Sequence, residues 1–294
     1  PIPQYDADPG RAYEIAESAD CSALALRGQP RSRRWYEAAD EAGLLLVAGS
    51  GLYHLGSSYA LTRDEFWTNA RDHLTSLVKQ RRNHPSVVVW SAADELLASG
   101  GAKAAGVEQK AGALADLVRS LDPTRPVMFD GDADPAGKAD IISLHRPRAF
   151  AHMRLWPASA YWLDAPALLD GYPGTVWQWE RNKPLWLADL GRLSPAEVSA
   201  ASVFFGDDVP LDAESHRLAA QATALEVEVI AARDAGVSGI CPATMPVSPS
   251  SADAEWEALT RAFRPVAAFP REASSRFFAG TVVDRTLMVL NDSR

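Results

Sequence analysis

Short apolar runs rich in β-branched residues recur along the chain at residues 22–26, 44–48, 86–91, 126–130, 140–144, 185–189 and 237–241. Each has strand length and ends in polar or turn-forming residues. Between them lie longer stretches in which apolar residues return every three or four positions, at 11–19, 32–42, 62–80, 107–121, 194–203, 213–235 and 253–263. In the third, Phe66, Ala70, Leu74 and Leu77 fall on one helical face, and Thr62 and Glu65 have capping-box spacing. Ser32 is placed to cap the second helix and Gly43 to stop it, while Asp122-Pro123 ends the fourth.

Strands alternating with helices predict an α/β fold with a parallel sheet. Seven strands fit a (β/α)8 TIM barrel that lacks its first strand in this chain; they also fit an open doubly wound sheet. No Gly-rich phosphate loop follows any strand, which removes the usual nucleotide-binding reason for the second choice. After Pro265 the helical rhythm stops, and residues 276–291 read as two short strands about Gly280-Thr281. The expected division is a barrel over 1–268 and the start of a truncated β-sandwich over 269–294.

A 47% hydrophobic, 23% charged composition over 294 residues supplies a sizeable core. With 29 Lys and Arg against 38 Asp and Glu, net charge −9, the chain lacks the concentrated positive charge of a nucleic-acid groove. No apolar run approaches the roughly 20 residues of a membrane-spanning helix, so neither nucleic acid nor membrane insertion is expected. Cys21 and Cys241 form no metal-binding cluster or disulfide framework and read as two free thiols. The opening, Pro1-Ile2-Pro3-Gln4-Tyr5, has no initiator Met and no signal peptide. It reads as a processing site or a cut inside a longer polypeptide and leaves the compartment open, extracellular and periplasmic locations included.

Parallel barrels place reactive groups where strands end at the C-terminal mouth. The strand 86–91 is followed by Asp94-Glu95, and the strand 185–189 ends in Asp189. Two acids aimed into one mouth are what glycoside hydrolysis requires, one protonating the departing oxygen and the other attacking or activating water. An acid just past a strand is also a common helix cap, so spacing alone leaves both readings standing. His145, at another strand end, could meet substrate or Asp189, and Tyr53 and His54 follow the second strand. Among the aromatics between residues 156 and 179, Trp177 and Trp179 are candidates for stacking on a sugar ring; aromatics equally fill loop cores. No His and carboxylate spacing predicts a metal, and no cofactor is expected.

The run His84-Pro85-Ser86, an apolar strand, Trp90-Ser91-Ala92-Ala93, then Asp94-Glu95 resembles the acid/base signature of glycoside hydrolase family 2. Further similarities follow in the same order. They include Arg34 to Val47, Leu121 to Val127, Ala139 to His145, Pro184 to Gly191, Gln221 with Ala235 to Gly239, and the tail from Gly280 to Ser293. The resemblance implies a retaining β-glycosidase barrel of the β-galactosidase, β-glucuronidase and β-mannosidase kind, with a carbohydrate substrate and further β-sandwich domains in the same polypeptide. It puts Glu95 at the acid/base position, Asp189 at the nucleophile position, and Asp94 where the family has an Asn that binds the sugar 2-hydroxyl.

Several positions depart from the family. Asp189 stands for a Glu and is one methylene shorter. Gly28-Gln29-Pro30 stands for His-Tyr-Pro, Ala48-Gly49 for Asp-Glu, and Ala243 for a Trp beneath the sugar. These replacements keep a second reading open, a catalytically silent barrel serving as a carbohydrate-binding or scaffold module.

Overall fold

The computed structural model describes residues 8–53, 60–97, 106–145, 163–164, 166–168, 176–190, 212–242, 254–272 and 277–293. In chain order the elements are α1 (Pro9–Ser18), β1 (Ala23–Leu26), α2 (Arg33–Ala42), β2 (Leu45–Gly49), α3 (Asp64–Arg81) and β3 (Val87–Asp94). Then come α4 (Val107–Leu121), β4 (Val127–Asp130), β5 (Ile142–His145), the two-residue strands β6 (Ala167–Leu168) and β7 (Val176–Trp177), and β8 (Leu185–Leu190). The last are α5 (Ala213–Asp234), β9 (Gly239–Pro242), α6 (Ala254–Ala262), β10 (Val266–Pro270) and β11 (Leu287–Asn291).

All seven expected strands form, and they are parallel. β1, β2, β3 and β4 hydrogen-bond in that order, as do β5, β8 and β9. A parallel bridge from Met128 to Ile141 joins the two sheets. The wall therefore runs β1-β2-β3-β4-β5-β8-β9, the order of a β/α barrel.

Side chains fill both sides of this wall. Val47, Val89 and Met128 pack together with Ala25, Ile141 and Trp186, one residue from each of six neighbouring wall segments, as the interior layer of a barrel does. Trp186 closes that layer against Gly239, where a Cβ would lie 2.0 Å from the indole ring. Outside the wall, Trp67, Ala70, Leu74 and Leu77 of α3 and Leu114, Ala115 and Val118 of α4 bury their apolar faces against β2, β3 and β4. Leu225, Val229 and Leu259 of the last two helices do the same for β5 and β8.

The bottom of the wall is tied by buried polar groups. Trp90 Nε1 donates to Asp122 Oδ2 at 3.0 Å, Arg125 donates to the same oxygen at 2.7 Å, and the Thr124 amide donates to Oδ1. These bonds overcome the cost of burial and pull the Asp122 carboxyl down to about 2. His84 and the Ser86 amide both meet Asp40 of α2, at 2.7 and 2.9 Å, so the His-Pro-Ser motif anchors the start of β3.

Local details differ from expectation. Gly43 does stop α2 in the left-handed conformation, φ 73°, and Ser32 sits at its N-cap without a side-chain bond. The Thr62–Glu65 capping box does not form: Ala60–Thr62 winds into a 3-10 turn, and Arg63 takes the extended cap position before Asp64. In the tail, the hairpin about Gly280-Thr281 is replaced by β11 pairing antiparallel with β10, from Val266↔Asn291 to Pro270↔Leu287. Val282 and Val283 are exposed and outside any strand. Residues 194–203 lie outside the described residues, and Cys21 and Cys241 are both free.

Candidate active site

The C-terminal ends of β1, β3, β4, β5 and β8 bring one cluster of charged side chains together. Arg27 follows β1 directly and reaches three carboxylates: Asp189 at 2.7 Å, Asp130 at 2.8 Å and Asp94 at 3.2 Å. Nη1 donates to Asp189 and Nη2 to Asp94, while Nε faces Asp130 as an ion pair without a hydrogen bond, a forked placement that Lys could not reproduce. Burial alone would lower the proton affinity of Arg27, but the three carboxylates raise it well above its usual range.

His145 ends β5 and is wedged into the same cluster, its side chain 4% exposed. Nδ1 lies 3.0 Å from Glu95 Oε1, and Nε2 lies 2.8 Å from Asp130 Oδ1. A terminal nitrogen of Arg27 is 3.0 Å from Nδ1 and 3.1 Å from Nε2, a near-equal spacing that places it over the ring face. Gly131, φ 76°, packs so close that a Cβ there would lie 2.6 Å from Nδ1. Burial disfavours an imidazolium, yet hydrogen bonding to Asp130 and Glu95 outweighs it and raises His145 to about 10. The ring meets Glu95 and Asp130 directly, and one of its nitrogens lies within 4.8 Å of an Asp189 carboxylate oxygen.

Asp130 is 1% exposed. Burial works against its charge, but hydrogen bonds from His145 at 2.8 Å and Ser143 Oγ at 2.8 Å, with the Arg27 charge, hold its carboxyl below the ordinary range. Asp94 goes the other way. It is 4% exposed, its Oδ2 accepts no hydrogen bond, and burial followed by the charge of Asp130 pushes it up to about 6.

The two leading acids share a backbone peculiarity. Glu95 has φ 51° and Asp189 φ 58°, left-handed values that non-glycine residues rarely adopt. Each such residue costs about 1–3 kcal/mol and persists only where the surroundings dictate it. For Glu95 the surroundings are three successive amides: its own N–H donates to the Asp130 carbonyl, and those of Leu96 and Leu97 donate to the Asp132 carboxylate, all at 2.8 Å. For Asp189 it is a bulge in β8, where Ala188 pairs with Cys241 and Leu190 with Pro242, so that the intervening residue is re-aimed. Carboxylate oxygens of Glu95 and Asp189 and a ring nitrogen of His145 all lie within 4.8 Å of one another.

The same spacing holds for ligand atoms of Asp94, Asp130 and His145. Arg27 already supplies a cation to Asp94, Asp130 and Asp189 within this cluster.

The remaining candidates separate. Tyr53 is 43% exposed at the mouth, its backbone bridged to Asp94; burial, then the charges of Glu95 and Asp94, raises its hydroxyl. His54 lies outside the described residues, as do Trp156, Tyr161, Trp162, Tyr172 and Ala243. Trp177 is half-buried in β7 at the edge of the second core. Trp179 is a correction: it is 7% exposed within that core, its Nε1 donates to the Lys183 carbonyl at 3.0 Å, and Arg181 covers its ring at 4.5 Å. Arg27, Asp130 and Asp132 were missed by sequence reasoning. The signal was available for the first two, which stand at strand ends as Asp94 and Asp189 do.

Fold and cluster together define a parallel β/α barrel with a converging acid pair in its mouth. Residues 23–158 match the model of the glycosyl hydrolases family 2 TIM barrel domain. It is 32% identical over 136 residues to a beta-galactosidase of Alteromonas mediterranea, covering 44% of this chain and 12% of the relative. With a beta-galactosidase of Lactococcus lactis it shares 29% over 180 residues, 60% of this chain and 16% of the relative. The chain thus spans less than a fifth of the length of either. Among solved structures, the GH2 beta-galacturonidase from Eisenbergiella tayi bound to galacturonate superposes with TM-score 0.59 at 13% identity, over 89% of this chain and 48% of that one. At that identity the likeness is one of fold.

Proposed function

We propose that this chain is the catalytic part of a β-glycosidase that hydrolyses a carbohydrate with retention, using Glu95 as acid/base and Asp189 as nucleophile. The observation that carries the reading is that one carboxylate oxygen of Glu95 and one of Asp189 lie within 4.8 Å of each other, close enough for both acids to flank one glycosidic bond. Retaining enzymes hold their acids about 5–5.5 Å apart and inverting enzymes about 6.5–9.5 Å apart.

Charge distribution fits the two roles. Arg27 at 2.7 Å favours the ionised form of Asp189 that a nucleophile needs. Asp94, with its proton held to about pH 6, can donate to a sugar hydroxyl below that pH, as the family's Asn does at any pH. Tyr53 and Trp177 border the substrate space. By the same reading residues 269–294 open a β-sandwich.

Aryl β-glycosides test the proposal. Glu95→Gln and Asp189→Asn are each expected to lower kcat at least 10³-fold, and NMR of the first-formed sugar to show the β anomer. Unchanged rates in both variants reject the roles; an initial α anomer rejects retention alone.

A further inference from the structure

The two-acid reading accounts for Glu95 and Asp189 but not for the side chain placed behind one of them. His145 touches Glu95 and Asp130 with separate ring nitrogens, and both contacts have hydrogen-bond length, 3.0 and 2.8 Å. Asp130 is in turn fixed by Ser143 Oγ and the Arg27 guanidinium. The imidazole therefore lies in line between two carboxylates, one sealed inside the wall and the other, with its side chain 15% exposed, leaning toward the mouth. Gly131 allows no lateral room on the ring.

We propose that His145 is a positioning residue that stores the proton Glu95 delivers, so that the working acid is the Asp130–His145–Glu95 chain and not Glu95 alone. The inference rests on the reading of Glu95 as acid/base. Two neutral-imidazole tautomers exist, and each can donate to only one of the two carboxylates; the imidazolium donates to both. The charges that face the ring are Arg27 from β1, Asp94 and Glu95 from β3, Asp130 from β4 and Asp189 from β8, four acids against one other base. The balance favours the imidazolium, in keeping with a His145 raised to about 10.

The proton count closes over a catalytic cycle. In the first half, Asp189 forms a bond to the anomeric carbon as the bond to the departing oxygen breaks. That oxygen takes a proton from Glu95, which has drawn it from Nδ1 and turned it outward about the soft terminal torsion of the carboxyl. His145 is left neutral, still donating through Nε2 to Asp130. In the second half, Glu95 takes a proton from water as the water oxygen bonds to the anomeric carbon and the ester to Asp189 breaks. That proton returns to Nδ1.

The test compares the full chain with His145→Gln and Glu95→Gln on 4-nitrophenyl and 2,4-dinitrophenyl β-glycosides, the second needing little acid assistance. His145→Gln is expected to lose 10- to 100-fold on the first substrate and less than 3-fold on the second, with the basic limb of kcat/KM moved down by at least one pH unit. Added imidazole should partly rescue His145→Gly. Nitrogen-15 NMR gives a readout independent of turnover and of the variants' folding: His145 of the unaltered chain should carry protons on both ring nitrogens at pH 8. A single protonated nitrogen at that pH, or a basic limb unmoved or shifted upward in His145→Gln, overturns the inference. If Glu95→Gln itself leaves 4-nitrophenyl hydrolysis unchanged, it is the acid/base reading that fails.

Discussion

Two aspartates serve the two ends of β3, and both are 4% exposed. At the bottom, Asp122 receives bonds from Trp90, Thr124 and Arg125, and its carboxyl falls to about 2. At the mouth, Asp94 shares one guanidinium with two other acids, leaves an oxygen unbonded, and rises to about 6. Burial raises both; what differs is the donor supply. A carboxylate given enough donors becomes part of the scaffold, whereas one crowded by other carboxylates stays ready to change protonation. The bottom of this barrel spends its polar groups on stability and the mouth accepts instability.

The largest blow to this contrast is Arg27→Met. It strips the shared cation from Asp94, Asp130 and Asp189 at once and is expected to cost about 3–5 kcal/mol in urea unfolding, the usual loss when one partner of a buried ion pair is removed. Arg27→Lys should recover only part, since one ammonium cannot serve three carboxylates in fork geometry.

Next is Asp122→Ala, expected to cost about 3 kcal/mol at pH 7 by leaving the Trp90 indole and the Arg125 guanidinium without their acceptor. The sign of the pH dependence follows from a folded value below the unfolded one. The contribution is fully present above about pH 4 and is lost as pH falls toward 2, on the order of 2 kcal/mol over that window. A difference between variant and parent that stays constant from pH 7 to pH 2.5 would contradict it.

Asp94→Asn should act in the opposite direction. Its folded value lies above the unfolded one, so the parent loses stability as pH rises from about 4 through 6. Removing the charge should stabilise the fold at pH 7 by on the order of 2 kcal/mol and by much less at pH 4. Parallel urea titrations at the two pH values check this.

The smallest effect expected is the coupling between Trp90 and Asp122. A double-mutant cycle of Trp90→Phe with Asp122→Asn should return about 1 kcal/mol, the net worth of one buried hydrogen bond. Coupling indistinguishable from zero would mean that Trp90 is held by packing alone.

Much of the architecture was legible because a barrel wall buried on both faces demands continuous β-branched runs, such as Val87 to Val89, and leaves an acid just beyond them. The positions of Glu95 and Asp189 could be named on that ground. Less legible were the groups defined by approach across the barrel. Arg27 looked like one basic residue in a turn, and its role exists only because strand ends 67, 103 and 162 positions away meet it. His145 was placed at the right strand end, but that its ring bridges Glu95 and Asp130 could not be read, since ring direction depends on the space left by Gly131. Trp179 was read as a binding aromatic because an exposed and a packed indole have the same local sequence. The pairing of β10 with β11 was missed because it joins segments separated by a polar stretch, so no hairpin signal marks it.

The amino-acid order by itself determined the alternation of strands and helices, the parallel wall and the placing of acids beyond two of its strands, because hydrophobic periodicity and strand length act within a few residues. The tertiary structure decided which charges share a cation, which imidazole nitrogen meets which carboxylate, and how far apart Glu95 and Asp189 stand. Those are distances between strands remote in sequence, set by bulges, close glycine contacts and the packing of the barrel interior.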